Sequence, residues 1–172
     1  MTLEVYLRSF GPEGADTETL LIALGAERDD FGAWQIDLGD GAAAEVSGLG
    51  ASDAQPSGAR GGQVRLSGLT KRGADVLYAL ARNGHFAMIV PDHAAAGSVR
   101  VIVPAGLDMG LLPAGAPYDR AQIAESANAL FAVLSALLDD QRVADASPEP
   151  GLRPRPLGRG WLGRLLGRIL GP

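Results

Sequence analysis

Apolar and polar residues alternate through LEVYLRSF, residues 3–10, where Leu3, Val5 and Leu7 stand apart from Glu4, Tyr6 and Arg8. Period two predicts a strand with one buried face. After the loop GPEGADT, the segment DTETLLIALGAE opens on a capping residue, Asp16 or Thr17, and predicts a helix that Gly25 ends. Alternation returns in AWQIDLGDG, with Trp34, Ile36 and Leu38 set against Gln35 and Asp37, and a further strand follows in AAAEVSGL. Gly39-Asp40-Gly41 between these strands predicts a hairpin, because Asp and Gly reach positive φ at low cost. GASDAQPSGARGG reads as a polar, glycine-rich loop.

A similar order recurs further on. QVRLSGL predicts a strand, and Thr70 caps the helix KRGADVLYALARNG. Val76, Leu77, Leu80 and Ala81 form its apolar face, and Asn83-Gly84 stops it. HFAMIVP and SVRVIVPAG predict two more strands, joined through Pro91-Asp92-His93. GLLPAGAPYD reads as a loop. Asp119 is then expected to cap a long helix, RAQIAESANALFAVLSALLDDQRVADA. Its stripe is Ile123, Ala127, Leu130, Phe131, Leu134, Leu137 and Leu138 at helical spacing. Two β-α-β-β units and a long C-terminal helix predict an α+β fold: a mostly antiparallel sheet with helices packed on it, not a doubly wound nucleotide fold.

The pattern divides the chain into an α+β domain over 1–146, a Pro-rich linker over 147–160 and a basic amphipathic tail over 161–172. On a helical wheel Trp161, Leu162, Leu165, Leu166, Ile169 and Leu170 cover one half of the tail, and Arg164 and Arg168 share the other half with glycines. Each interior glycine costs up to ~1 kcal/mol against alanine. The tail is therefore expected to become helical on contact rather than alone. Trp161, Leu162, Arg164, Leu165, Leu166, Arg168, Ile169 and Leu170 are its candidate contact residues. An anionic membrane surface, a partner protein and the chain's own domain are the candidate targets.

Charge sharpens this reading. Residues 1–150 hold all twenty acids and ten basic residues, a net −10, whereas the last 22 residues hold five arginines and no acid. An acidic body repels phosphate, so nucleic acid is not expected as a partner. A single lysine, Lys71, against fourteen arginines reflects coding bias in a GC-rich genome. The chain has no cysteine, which excludes disulfides, thiolate nucleophiles and Cys-ligated zinc. No apolar run nears the ~20 residues that span a bilayer, and MTLEVYLRSF lacks the features of a signal peptide. The bacterial cytosol is the expected compartment, with peripheral membrane contact through the tail.

Candidate chemistry is sparse. His85 and His93, with Asp92, lack the spacing of a metal site or a base–orienter pair, since neighbours on a strand point opposite ways. Asp29, Asp30, Asp37 and Asp40 are close in sequence but do not follow the calcium-loop pattern, and turn solvation accounts for them. The glycine runs GLGASDAQPSGARGG and GLDMGLLPAG match no phosphate-loop motif, and Ser47, Ser52, Ser57 and Ser67 sit in no nucleophile elbow. Lys71 and Arg72 oppose the helix dipole in the first turn of their helix, as tolerated surface residues do. No cofactor is expected.

LEVYLRSF, AWQIDLGDG and VLYALARNGHFAMIVP, within residues 1–104, are similar in layout to small uncharacterised bacterial α+β proteins, some of them suspected immunity proteins of polymorphic toxin systems. The resemblance implies a non-enzymatic binder that neutralises a partner by covering its surface, and it assigns no functional residue. The expectation is thus a macromolecule-binding protein whose acidic body meets a basic protein partner. The alternative is a small-ligand sensor or enzyme with a pocket between sheet and helices, using His85 or Asp37.

Overall fold

A computed structural model describes residues 2–10, 16–49, 61–92 and 98–146. The linker 147–160, the tail 161–172 and His93 lie outside these residues. The strands are β1 (Leu3–Ser9), β2 (Glu27–Arg28), β3 (Trp34–Gly39), β4 (Ala42–Ser47), β5 (Gly61–Leu66), β6 (Phe86–Asp92), β7 (Ser98–Pro104) and β8 (Gln122–Ala124). The helices are α1 (Thr17–Ala23), α2 (Lys71–Asn83) and α3 (Ala127–Ala146). The strands form one eight-stranded sheet in the order β2-β3-β4-β5-β1-β6-β7-β8, antiparallel except for β7–β8. The fold is α+β, with a mostly antiparallel sheet and a long C-terminal helix.

The two β-α-β-β units interleave. Their first strands, β1 and β5, lie side by side at the centre, from Leu3↔Leu66 to Arg8↔Gly61. The β3–β4 hairpin flanks this pair with its second strand, and β6–β7 flanks it with its first. Layout therefore repeats along the chain, while placement in the sheet does not.

Leu3, Val5, Leu7, Ile36, Leu38, Ala44, Val46, Val64 and Leu66 point to one face and share a core with Leu21 of α1, Leu77 and Leu80 of α2, and Leu130, Leu134 and Leu137 of α3. All three helices thus cover the same face. A second, smaller core lies on the opposite face, where Tyr118 and Phe10 pack on Ala87, Ile89, Val101 and Val103, with Leu107, Met109 and Leu112 from the segment after β7. Burial of β6 on both faces explains why HFAMIVP shows no alternation.

Local signals set several boundaries. Asp16, not Thr17, caps α1: its carboxylate accepts the Thr19 N–H at 2.8 Å. Gly25 takes φ +80, and its N–H and that of Ala26 close on the carbonyls of Ile22 and Leu21, a Schellman ending. Asp40 and Gly41 both have positive φ (53 and 75), as the β3–β4 hairpin requires. Thr70 caps α2 by accepting the Gly73 N–H at 3.0 Å.

The structure departs from the sequence reading in two places. The long helix starts at Ala127, and Ser126 rather than Asp119 caps it, with Ser126 Oγ accepting the Ala129 N–H at 3.2 Å. Burial of Tyr118 in the second core and the bond from the Ala105 N–H to the Ala124 carbonyl, 2.9 Å, hold residues 118–124 against the sheet. Gln122–Ala124 therefore becomes β8, and Ile123 leaves the helical stripe for an edge where it is 52% exposed. The second departure is β2, a two-residue exposed strand with no periodicity to reveal it. The end of α2 falls where Asn83-Gly84 predicts it, with Asn83 last in the helix and Gly84 its cap; Gly84 keeps a helical φ of −84, and His85 takes the left-handed turn at φ 56. Among the described residues no helix is long and apolar enough to cross a membrane.

Candidate functional site

The β2–β3–β4 wing of the sheet holds the densest charge among the described residues. Residues 27–47 carry six carboxylates (Glu27, Asp29, Asp30, Asp37, Asp40 and Glu45) and one guanidinium, Arg28. Strand register turns part of this set into a row on the face opposite the helices: Glu27 pairs with Gln35, Gln35 with Glu45, Glu45 with Arg65, and Arg65 with Glu4. Arg65 bridges Glu45 at 3.3 Å and Glu4 at 3.4 Å. All three side chains are partly solvated, so these contacts order the row and add little stability.

At the tip of the wing, the β2–β3 turn is built on Asp29. Its carboxylate accepts the N–H groups of Phe31 and Ala33, each at 2.9 Å, and the Gln35 amide at 3.4 Å. Desolvation opposes ionisation of Asp29, but these donors outweigh it and hold the carboxyl below its usual range. Gly32 supplies φ +85, and the backbone closes from the Asp29 N–H to the Ala33 carbonyl at 2.8 Å. The turn leaves Phe31 96% exposed. On the helix side Arg28 lies over the Trp34 ring, 5.7 Å from its centroid, and shields it.

The four aspartates that the sequence groups together are thus all on this wing, but with separate tasks. Asp29 holds its turn, and Asp37 accepts the Gly39 N–H at 2.8 Å. Asp30 and Asp40 are exposed. Among the described residues no group of three or more histidine, aspartate or glutamate side chains is placed to hold a metal ion.

The structure separates the residues of the small-ligand alternative. Asp37 lines a cleft of about 500 Å³ with Gly25, Glu27 and Gln35 at the sheet margin. His85 lines another, about 130 Å³, with Phe10, Leu107, Asp108 and Leu111. Asp108 is already bound to the Gly110 N–H at 2.8 Å, and Asp92 pairs with Arg100 at 3.5 Å. The second glycine run, 106–115, supplies positive φ at Gly106 and Gly115 beside the second core. Ser67 accepts the Ala43 N–H at 2.8 Å, a structural bond. Lys71 and Arg72 are exposed. The candidate tail contacts, Trp161, Leu162, Arg164, Leu165, Leu166, Arg168, Ile169 and Leu170, lie outside the described residues.

Phe31 is the residue that periodicity overlooks. Its signal is local: in DDFG, an Asp three residues before a Gly sets an Asx-type turn, which turns the intervening aromatic outward. Compared with protein-family models, curated proteins and solved structures, the chain matches none.

Proposed function

We propose that this chain is a non-enzymatic binding protein whose acidic β2–β4 wing docks on a basic surface of another protein. The observation that supports the reading is the pairing of six carboxylates and one guanidinium with a pre-formed turn that holds Phe31 in solvent. An exposed aromatic on a rigid turn can enter a socket at little ordering cost, and the surrounding charge steers encounter with a cationic partner. The likeness in layout to suspected immunity proteins points to the same class of activity, neutralisation by covering. The tail, through Trp161 and its neighbours, adds a second contact, to the partner or to an anionic membrane surface.

The test is affinity capture from lysate of the source cell at low salt, with the full chain as bait and mass spectrometry as readout. Capture is repeated with a Phe31→Ala, Asp30→Lys, Asp40→Lys variant. A basic protein retained by the wild type and lost with the variant supports the reading. Indistinguishable retained sets overturn it.

A further inference from the structure

The two ends of the sheet differ in how they meet solvent. A free strand edge offers unpaired backbone groups to another chain unless charge, proline or brevity protects it. β2 is guarded: it is two residues long, and both, Glu27 and Arg28, are charged and exposed. β8 at the other end is also short, three residues, but reads Gln-Ile-Ala with no charge and no proline, and Ile123 at its middle is 52% exposed.

Backbone geometry says which groups are on offer. The Ala124 carbonyl accepts from Ala105, so Ala124 directs its hydrogen-bonding groups toward β7. Strand groups alternate sides, and the N–H and C=O of Ile123 therefore point away from the sheet. A two-fold axis perpendicular to the sheet at Ile123 would place this residue opposite itself, as a pair exchanging two hydrogen bonds with the isoleucine side chains in contact on one face.

Charge favours a second copy as the occupant. The chain carries a net −5, which opposes self-association across most of its surface. β8 itself carries no charge; exposed Arg120 ends the 3-10 turn before it, and exposed Glu125 follows it. Antiparallel pairing sets the Arg120 end of each copy against the Glu125 end of the other, and Asp119 lies one position further from the axis. We propose that β8 is the contact edge of a two-fold dimer of this chain, joining two eight-stranded sheets into one. The acidic wing lies at the opposite end of the sheet and stays free in each copy, so this inference stands apart from the proposed function.

Sedimentation equilibrium of the full chain, from micromolar to sub-millimolar concentration, tests it. The wild type is expected to show a concentration-dependent dimer. Ile123→Lys, which sets two cations together at the axis, is expected to weaken it at least about tenfold. Glu125→Arg is expected to weaken it too, and the Arg120→Glu, Glu125→Arg double variant to restore it. A wild type that is monomeric throughout overturns the proposal, as does a dimer that survives Ile123→Lys unchanged or a double variant no better than Glu125→Arg.

Discussion

The ring of Phe86 lies so close to Gly84 that a Cβ on Gly84 would fall 2.2 Å from Phe86 Cε2. Glycine at this position serves close approach rather than backbone freedom, since its φ is an ordinary −84. The left-handed residue that ends α2 is displaced by one position, onto His85. Phe86 is fully buried. Gly84→Ala is expected to destabilise the protein by about 1–3 kcal/mol, as overpacking does. Urea denaturation measures this, and a double-mutant cycle with Phe86→Leu should show the penalty shrinking once the ring is gone. Equal penalties in both backgrounds would contradict the contact.

Thr17, at the start of α1, is buried, and its hydroxyl oxygen has no hydrogen-bond partner among the described residues. A hydroxyl without a partner in the interior pays its desolvation unrelieved. Thr17→Val keeps the branched shape and removes the polar atom, and is expected to raise stability by roughly 1 kcal/mol. A thermal or urea midpoint lower than wild type would count against it.

Asp29 governs the turn that carries Phe31, and its carboxyl is held below its usual range by the donors around it. Because the folded state lowers this pKa, the stabilisation is present above the ordinary aspartate range and is lost as pH falls through the lowered value. Amide hydrogen exchange at Phe31 and Ala33 should therefore accelerate relative to the core in acid, once corrected for intrinsic rates. Asp29→Ala should show fast exchange at both sites across the whole pH range. Unchanged protection in that variant would contradict the role given to the carboxylate.

Tyr6 titrates in the opposite direction. Burial raises its phenol pKa, and the neighbouring Glu4, 3.4 Å from the hydroxyl, raises it further. A raised folded value means that the contribution is complete below the unfolded tyrosine range and is lost as pH climbs through the folded value. The absorbance difference between wild type and Tyr6→Phe during an alkaline titration isolates this phenol. Its midpoint should lie above that of a free tyrosine and should fall in a Glu4→Gln variant.

Much of the fold and part of the site were legible in order along the chain. Alternation in LEVYLRSF and AWQIDLGDG determined which side chains of β1 and β3 face the core, because successive strand residues point to opposite faces whatever the sheet around them. Asp40-Gly41 determined a hairpin, and Thr70 a helix start, through interactions within a few residues. The acidic wing was present in the composition of residues 27–47, and the Phe31 turn in the spacing of Asp29 and Gly32.

Only tertiary structure decided the rest. Residues 120–126 satisfy a helical stripe and would extend α3, but Tyr118 in the second core and Ala105 beside Ala124 bind them to β7, and long-range burial outweighs local propensity. The interleaving of β1 and β5 depends on pairing between residues some sixty positions apart, which no local pattern encodes. The two sheet edges likewise emerge only once strand order is set: the topology ends the sheet at β2, with Glu27-Arg28, and at β8, with the uncharged Gln-Ile-Ala. Periodicity records which face of a segment is apolar, and only packing against distant segments determines what that face meets.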